Sequence, residues 1–235
     1  MTESLAATMP NPIFCAIDTG DLEHARDLVS AVGPHVGGIK LGLEFWNAFG
    51  RKGVETIVEA SSGKSLFLDL KLHDIPNTVG GAVRALEDLP VDILTVHASG
   101  GEAMMRAARA AAPERTKVVA VTVLTSLSDE DLTALGTDGG VDAQVERLAL
   151  LTRRAGLDGI VCSPQEVAAR SAAWPDGLFV VPGIRPHGAD MGDQKRALTP
   201  QEALDAGASV LVIGRPITKA DNPGEAAEAI AAQMK

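Results

Sequence analysis

The sequence predicts an α/β protein, a single (β/α)8 barrel of the TIM type, on three observations. Eight short apolar runs alternate with segments of helical period along nearly the whole chain. Several of those runs end in charged or polar residues, and parallel α/β folds put their chemistry at the carboxyl ends of strands. No glycine-rich dinucleotide fingerprint follows the first run, which disfavours an open nucleotide-binding sheet.

Taken in order, residues 1–11 read as a mobile tail, and residues 12–235 as one barrel domain with no internal boundary or compositional shift. Ile13 to Ile17 is the first strand, ending at Asp18. A helix follows from Asp21 to about Val32, with Gly33 as its stop. Val36 to Lys40 is the second strand, and helical periodicity covers Leu43 to about Ala60. Leu66 to Lys71 is the third strand, followed by a helix from about Asn77 to Leu89. Val91 to His97 is the fourth, with an alanine-rich helix from about Glu102 to Ala112. Lys117 to Leu124 is the fifth strand. Loop signals and a short helical turn fill Thr125 to Val141, before a helix from about Asp142 to Ala155. Gly159 to Cys162 is the sixth strand, and Ser163-Pro-Gln-Glu166 matches a capping box that should open a helix. Leu178 to Val181 is the seventh strand. A long polar loop, Pro182 to Leu198, leads to a second capping box, Thr199-Pro-Gln-Glu202, whose helix stops at Gly207. Ser209 to Ile213 is the eighth strand, and a last helix begins near Pro223.

The third strand is the most informative stretch. From Leu66 to His73 it alternates strictly, with Leu66, Leu68, Leu70 and Leu72 on one face and Phe67, Asp69, Lys71 and His73 on the other. Asp69 and Lys71 therefore share a face, about 6.6 Å apart along the strand. Asp74 follows where the strand gives out, and Pro76 ends regular pairing. A cation among two anions in a buried-looking strand is costly unless the groups pair. A buried ion pair that merely fixes the fold is the plain alternative, but three charges at the carboxyl end of one strand favour a functional site.

Composition narrows the function classes. The chain is 235 residues long, 46% hydrophobic and 22% charged, as for a soluble globular protein. Aromatics are only 3%, tyrosine is absent and the net charge is −10, which argues against a nucleic-acid surface. No apolar run is long enough to span a membrane, and the N-terminus lacks the pattern of a signal peptide. Cys15 and Cys162 lie inside apolar runs, as reduced core residues of a cytoplasmic protein would. Cysteine and histidine show no metal-ligand spacing, so no metal is expected.

The other strand ends add candidates at the same rim: Asp18, Lys40, His97, Thr125 with Ser126, Arg185, and Gly214 with Arg215. Each alone has an ordinary structural explanation, and their common location is what points to a site. Ile213-Gly-Arg-Pro216 puts a glycine and an arginine directly after the eighth strand, where this barrel commonly cradles phosphate. Gly214 allows close backbone approach, and Arg215 offers a planar fork of donors. The loop from Gly183 to Arg196 is long enough to act as a lid, and Gln194 on it is a second phosphate candidate. Lys195 and Arg196 read as solvated charge.

The segments Phe67-Leu-Asp-Leu-Lys-Leu-His-Asp-Ile-Pro-Asn-Thr78, Ile39-Lys-Leu-Gly42, Pro182-Gly-Ile-Arg-Pro186, Gly192-Asp-Gln-Lys-Arg196 and Ile213-Gly-Arg-Pro-Ile-Thr218 together resemble the orotidine 5′-phosphate decarboxylase family. The resemblance runs from about Ile13 to the C-terminal helix, with Val181 a minor departure. It implies removal of CO2 from orotidine 5′-monophosphate to give UMP, without metal or organic cofactor. It implies Lys71 as proton donor within an alternating network of Lys40, Asp69, Lys71 and Asp74, with Asp69 beside the substrate carboxylate. Flanking carboxylates favour the protonated ammonium, unlike a Schiff-base lysine. Lys40 and Asp18 would touch the ribose, Thr125 or Ser126 the pyrimidine edge, and Gln194, Gly214 and Arg215 the phosphate, beside Arg185. Asp74 and Thr78 would reach into the partner subunit's site, implying a homodimer. The same Asp-x-Lys-x-x-Asp pattern also resembles magnesium-dependent sugar-phosphate decarboxylases and synthases of this barrel, and a non-catalytic phospholigand-binding barrel is a further alternative. Ile75-Pro-Asn-Thr78 and the Gly-Asp-Gln-Lys-Arg loop favour the nucleotide enzyme.

Overall fold

The computed structural model describes residues 11–186 and 198–234. Eight parallel strands close into a barrel in sequence order, with β1 (Ile13–Ile17) paired to both β2 (Gly38–Leu41) and β8 (Val210–Ile213). Between them lie β3 (Ser65–Leu72), β4 (Val91–His97), β5 (Lys117–Val121), β6 (Gly159–Val161) and β7 (Leu178–Pro182). The helices are α1 (Leu22–Val32), α2 (Leu43–Ala60), α3 (Pro76–Arg84), α4 (Gly101–Ala111), α5 (Asp129–Ala134), α6 (Gly140–Arg154), α7 (Val167–Ala173), α8 (Pro200–Asp205), α9 (Arg215–Thr218) and α10 (Pro223–Ala231). Among the described residues no helix is long and apolar enough to cross a membrane.

Strand period two sorts the core into two layers. Phe14, Phe67, Ile93, Val119, Val180 and Val210 fill the barrel interior, while Leu66, Leu68, Leu94, Leu211 and their neighbours face the helices. Phe14 and Phe67 meet edge to face inside, with centroids 6.3 Å apart. Gly38 is what admits the Phe14 ring, since a Cβ there would overlap it.

Most expected elements form, and the differences have local causes. The segment Leu43–Ala60 is interrupted at Gly50 (φ 56, ψ −151), a conformation that glycine adopts without penalty. The helix after β3 ends at Arg84 rather than near Leu89, and β5 ends at Val121 rather than Leu124. The box at Thr199 is complete, with Thr199 Oγ1 accepting from Glu202 N–H and the Glu202 carboxylate accepting from Thr199 N–H. At Ser163 only half forms. Glu166 accepts from Ser163 N–H at 2.8 Å, but the Glu166 N–H closes a turn on Ser163 O at 3.1 Å, and helix begins only at Val167. The short α9 directly after β8 was not expected. Of the expected N-terminal tail only Asn11 lies within the described residues. It is tied down, accepting from Ile13 N–H and donating to His35 O.

The irregularity that matters is between β3 and β4. Leu68 pairs with Leu94, but the next pair is Leu72 with Val96, so Asp69, Leu70 and Lys71 oppose Thr95 alone. Such a bulge re-aims the side chains it contains.

Candidate active site

The carboxyl ends of the strands surround a cavity of about 320 Å³. Its apolar lining includes Phe67, Val180 and Val212. Asp18, Lys40, Asp69 and Lys71 enter from the ends of β1 to β3, and Gly183, Arg185, Gly214 and Arg215 from the ends of β7 and β8. Val123, Leu124 and Thr125 form part of the rim.

The charged wall is a chain of contacts built by three strands. Lys40, next to last in β2, is buried, and its Nζ lies 3.1 Å from Asp18 Oδ1 and 3.7 Å from Asp69 Oδ2. Asp69 Oδ2 also receives Lys71 Nζ at 2.7 Å. Asp69 Oδ1 accepts the Thr95 hydroxyl at 3.0 Å, and Thr95 Oγ1 accepts from the Lys71 backbone N–H at 2.9 Å. Two ammonium groups thus share one carboxylate at a half-buried position, where opposite charge offsets desolvation. No buried side-chain polar atom among the described residues lacks a partner.

Lys71 itself has φ 49, a left-handed backbone that non-glycine residues rarely adopt. Holding it there costs on the order of 1 kcal/mol or more, and such strain persists only where surrounding contacts over-determine it. It sits inside the bulge and lines the cavity.

Two histidines follow on the same two strands, His73 just past β3 and His97 at the end of β4. The rings of His73 and His97 are 5.4 Å apart with planes tilted by 38°. Burial holds the His97 imidazole below its ordinary value, helped by the positive charge of His73 and Lys71 and opposed by Asp69. Cys162 borders the cavity, but burial pushes its thiol up, as it does Cys15 to about 12. Both thiols are therefore poor nucleophiles.

Of the residues singled out in the sequence, Asp18, Lys40, Asp69, Lys71, Thr125, Arg185, Gly214 and Arg215 all border this cavity. Asp74, Thr78 and Ser126 are exposed and do not border it. The Asp74 carboxylate instead accepts from Ile75 N–H at 2.6 Å, and among the described residues of one chain the ion pair of Lys71 is with Asp69. Gln194, with the rest of the 187–197 stretch, lies outside the described residues. Thr95 is the site residue that sequence reasoning missed. Its signal was present: a hydroxyl at an inward position of β4, between Ile93 and His97. Among the described residues no group of three or more His, Cys, Asp or Glu side chains is placed to hold a metal ion.

A closed parallel barrel whose mouth gathers Asp18, Lys40, Asp69 and Lys71 around a cavity has the form of a (β/α)8-barrel enzyme. Similarity to known proteins then sharpens the class. The chain belongs to the orotidine 5′-phosphate decarboxylase / HUMPS family, whose model matches residues 11–230. It is 57% identical over 226 residues to the orotidine 5′-phosphate decarboxylase of Erythrobacter litoralis (strain HTCC2594), covering 96% of this chain and 100% of that one. The enzyme of the same name from Novosphingobium aromaticivorans is 56% identical over the same span. Among solved structures, that of orotidine 5′-phosphate decarboxylase from Lactobacillus acidophilus superposes with a TM-score of 0.83 at 35% identity, covering 96% of this chain and 99% of that one.

Proposed function

We propose that this chain removes CO2 from orotidine 5′-monophosphate to give UMP, with Lys71 as the proton donor. The observation that carries the reading is the Lys71 ammonium held 2.7 Å from Asp69, on the same cavity that Arg215 lines. Relatives of the same name at 57% and 56% identity over nearly the whole chain support the substrate.

The chemical problem is charge. When the bond from the pyrimidine carbon to the carboxylate breaks, its electron pair stays on a carbon that has no good electron sink. A fixed ammonium beside that carbon stabilises the developing carbanion and then delivers its proton, leaving UMP and a neutral amine for solvent to reprotonate. Asp69 lies next to the substrate carboxylate in this reading and keeps Lys71 oriented. Lys40 and Asp18 hold the ribose, Thr125 or Ser126 the pyrimidine edge, and Gly214 with Arg185, Arg215 and Gln194 the phosphate. Backbone approach at Gly214 and the guanidinium fork of Arg215 suit that phosphate role. Closure of the Gly183–Leu198 loop over bound nucleotide would turn remote phosphate-binding energy into catalysis.

Asp74 and Thr78 complete the site of a second copy in a homodimer. Their exposure on the cavity's outer flank, with Ile75 beside them 66% exposed, fits a face that a partner covers. The reaction so drawn uses no metal and no organic cofactor, and its setting is cytoplasmic.

The decisive assay follows loss of orotidylate absorbance on adding the purified chain, with and without a strong chelator. Turnover that survives chelation is expected. No turnover would end the reading and leave the magnesium-dependent sugar-phosphate branch of this barrel as its rival, and turnover abolished by chelator would overturn the metal-free mechanism. Shared sites have their own test. Mixing inactive Lys71→Ala with inactive Asp74→Asn chains should restore up to about a quarter of wild-type activity, because half the dimers are mixed and one of their two sites is intact. Mixtures that stay inactive would remove Asp74 from the partner's site.

A further inference from the structure

Thr95 is wholly buried in β4, and its hydroxyl is used twice. It accepts from the Lys71 backbone N–H at 2.9 Å and donates to Asp69 Oδ1 at 3.0 Å, while Asp69 Oδ2 takes Lys71 Nζ at 2.7 Å. These contacts close a ring that begins and ends on Lys71, running through its amide, the Thr95 hydroxyl, the Asp69 carboxylate and its own ammonium. The ring lies where three residues of β3 oppose Thr95 alone, at a break in the ordinary ladder. It also encloses the left-handed backbone of Lys71. A side-chain hydroxyl can fill both roles, because it accepts with a lone pair while donating its single proton.

We infer that Thr95 is a positioning residue for the decarboxylation: its hydroxyl pins the strained Lys71 backbone and fixes one oxygen of Asp69, so that the other oxygen aims the Lys71 ammonium into the cavity. Thr95 does not border the cavity, and it acts only through Asp69 and Lys71. The inference rests on the reading of Lys71 as proton donor. Its geometric half stands without that reading. Valine at this position has the same shape and branching but no hydroxyl, and serine keeps the hydroxyl while losing the methyl. The pair therefore separates positioning from packing.

The test compares Thr95→Val and Thr95→Ser in the full chain, at a temperature where both are folded by circular dichroism. Thr95→Val should lose about tenfold to a hundredfold in kcat with KM within about twofold, since a misaimed acid harms the transition state far more than substrate binding. Thr95→Ser should keep kcat within about threefold. Valine with near wild-type kcat, serine impaired as badly as valine, or a loss confined to KM would each overturn the proposal. If the valine chain does not fold, Thr95→Ala removes the same hydroxyl with less bulk and is read the same way. A crystal structure of the hydroxyl-free variant decides the geometry independently of any substrate. Lys71 should leave the left-handed region or part from Asp69, and an unchanged Lys71 backbone and ion pair would refute the clamp. Should the wild-type chain itself fail to consume orotidylate, the assignment of the reaction fails, while that crystal structure still decides the clamp.

Discussion

At the amino end of the barrel, Asp158 receives Arg109 Nη1 and the Val118 N–H at 2.9 Å each, with Lys117 Nζ at 3.4 Å. At the carboxyl end, Asp69 receives Lys71 at 2.7 Å and Thr95 at 3.0 Å, with Lys40 at 3.7 Å. Each is one half-buried carboxylate between two cations, yet their surroundings differ. Arg109 spends its remaining donors on the carbonyls of Ala112, Pro113 and Thr116, and Asp92 nearby accepts from the Leu66 N–H at 2.7 Å. The amino-end charges thus staple backbone to backbone. At the mouth the partners are other side chains, one of them on a strained backbone, and they border an open cavity. The contrast teaches that an ion pair is structural when its spare valences close on the chain, and functional when they face space that a ligand can fill.

The comparison can be broken most sharply at Lys71. Lys71→Ala should lower kcat by at least about a thousandfold, the scale of a lost general acid with its charge stabilisation, and leave the fold intact. A variant within tenfold of wild type would take Lys71 out of the chemistry. Next in size is Arg215→Ala, which should raise KM about tenfold to a hundredfold, the worth of a charged hydrogen bond to an anion. An unchanged KM would remove its phosphate role. At the other end, Asp158→Ala should cost about 2–3 kcal/mol of stability by orphaning the Val118 N–H and Arg109, or a fall in Tm of roughly 5–10 °C. Its kcat should stay near wild type, and a large kcat loss would erase the division of labour between the two ends.

The smallest effect concerns pH. The His97 imidazole titrates below its ordinary value in the fold, so as pH falls the unfolded chain takes up this proton first. The stabilisation from keeping His97 neutral is complete above its ordinary value near 6.5, and it is lost as pH drops through the lower folded value. Denaturant unfolding between pH 7.5 and about 5 should therefore show a slope that His97→Gln flattens. Identical slopes in the two chains would deny His97 that contribution.

Much of the site is legible in the sequence. Asp69 and Lys71 were placed on one face by strict alternation from Leu66 to His73, and Arg215 by its place after an apolar run. Thr95 escaped because a lone threonine inside a strand has the ordinary explanation of a satisfied core hydroxyl. Asp74 follows Lys71 closely in sequence, and the resemblance assigns it to the site of a partner subunit. β3 ends at Leu72, and beyond it Asp74 turns onto its own backbone and away from the cavity of its own chain. The false start of helix at Ser163 has a similar cause, since a capping-box pattern is equally able to close a turn.

The eightfold alternation, the closed-barrel class and the rim on which the charges gather are all written along the chain. Those follow from period and punctuation, which are local properties of the chain. The aim of Lys71 is not written there and arises only when the strands come together. That aim depends on how β3 registers against β4, a strand more than twenty residues further along the chain, and on the Thr95 hydroxyl that the resulting bulge brings to the Lys71 amide and Asp69.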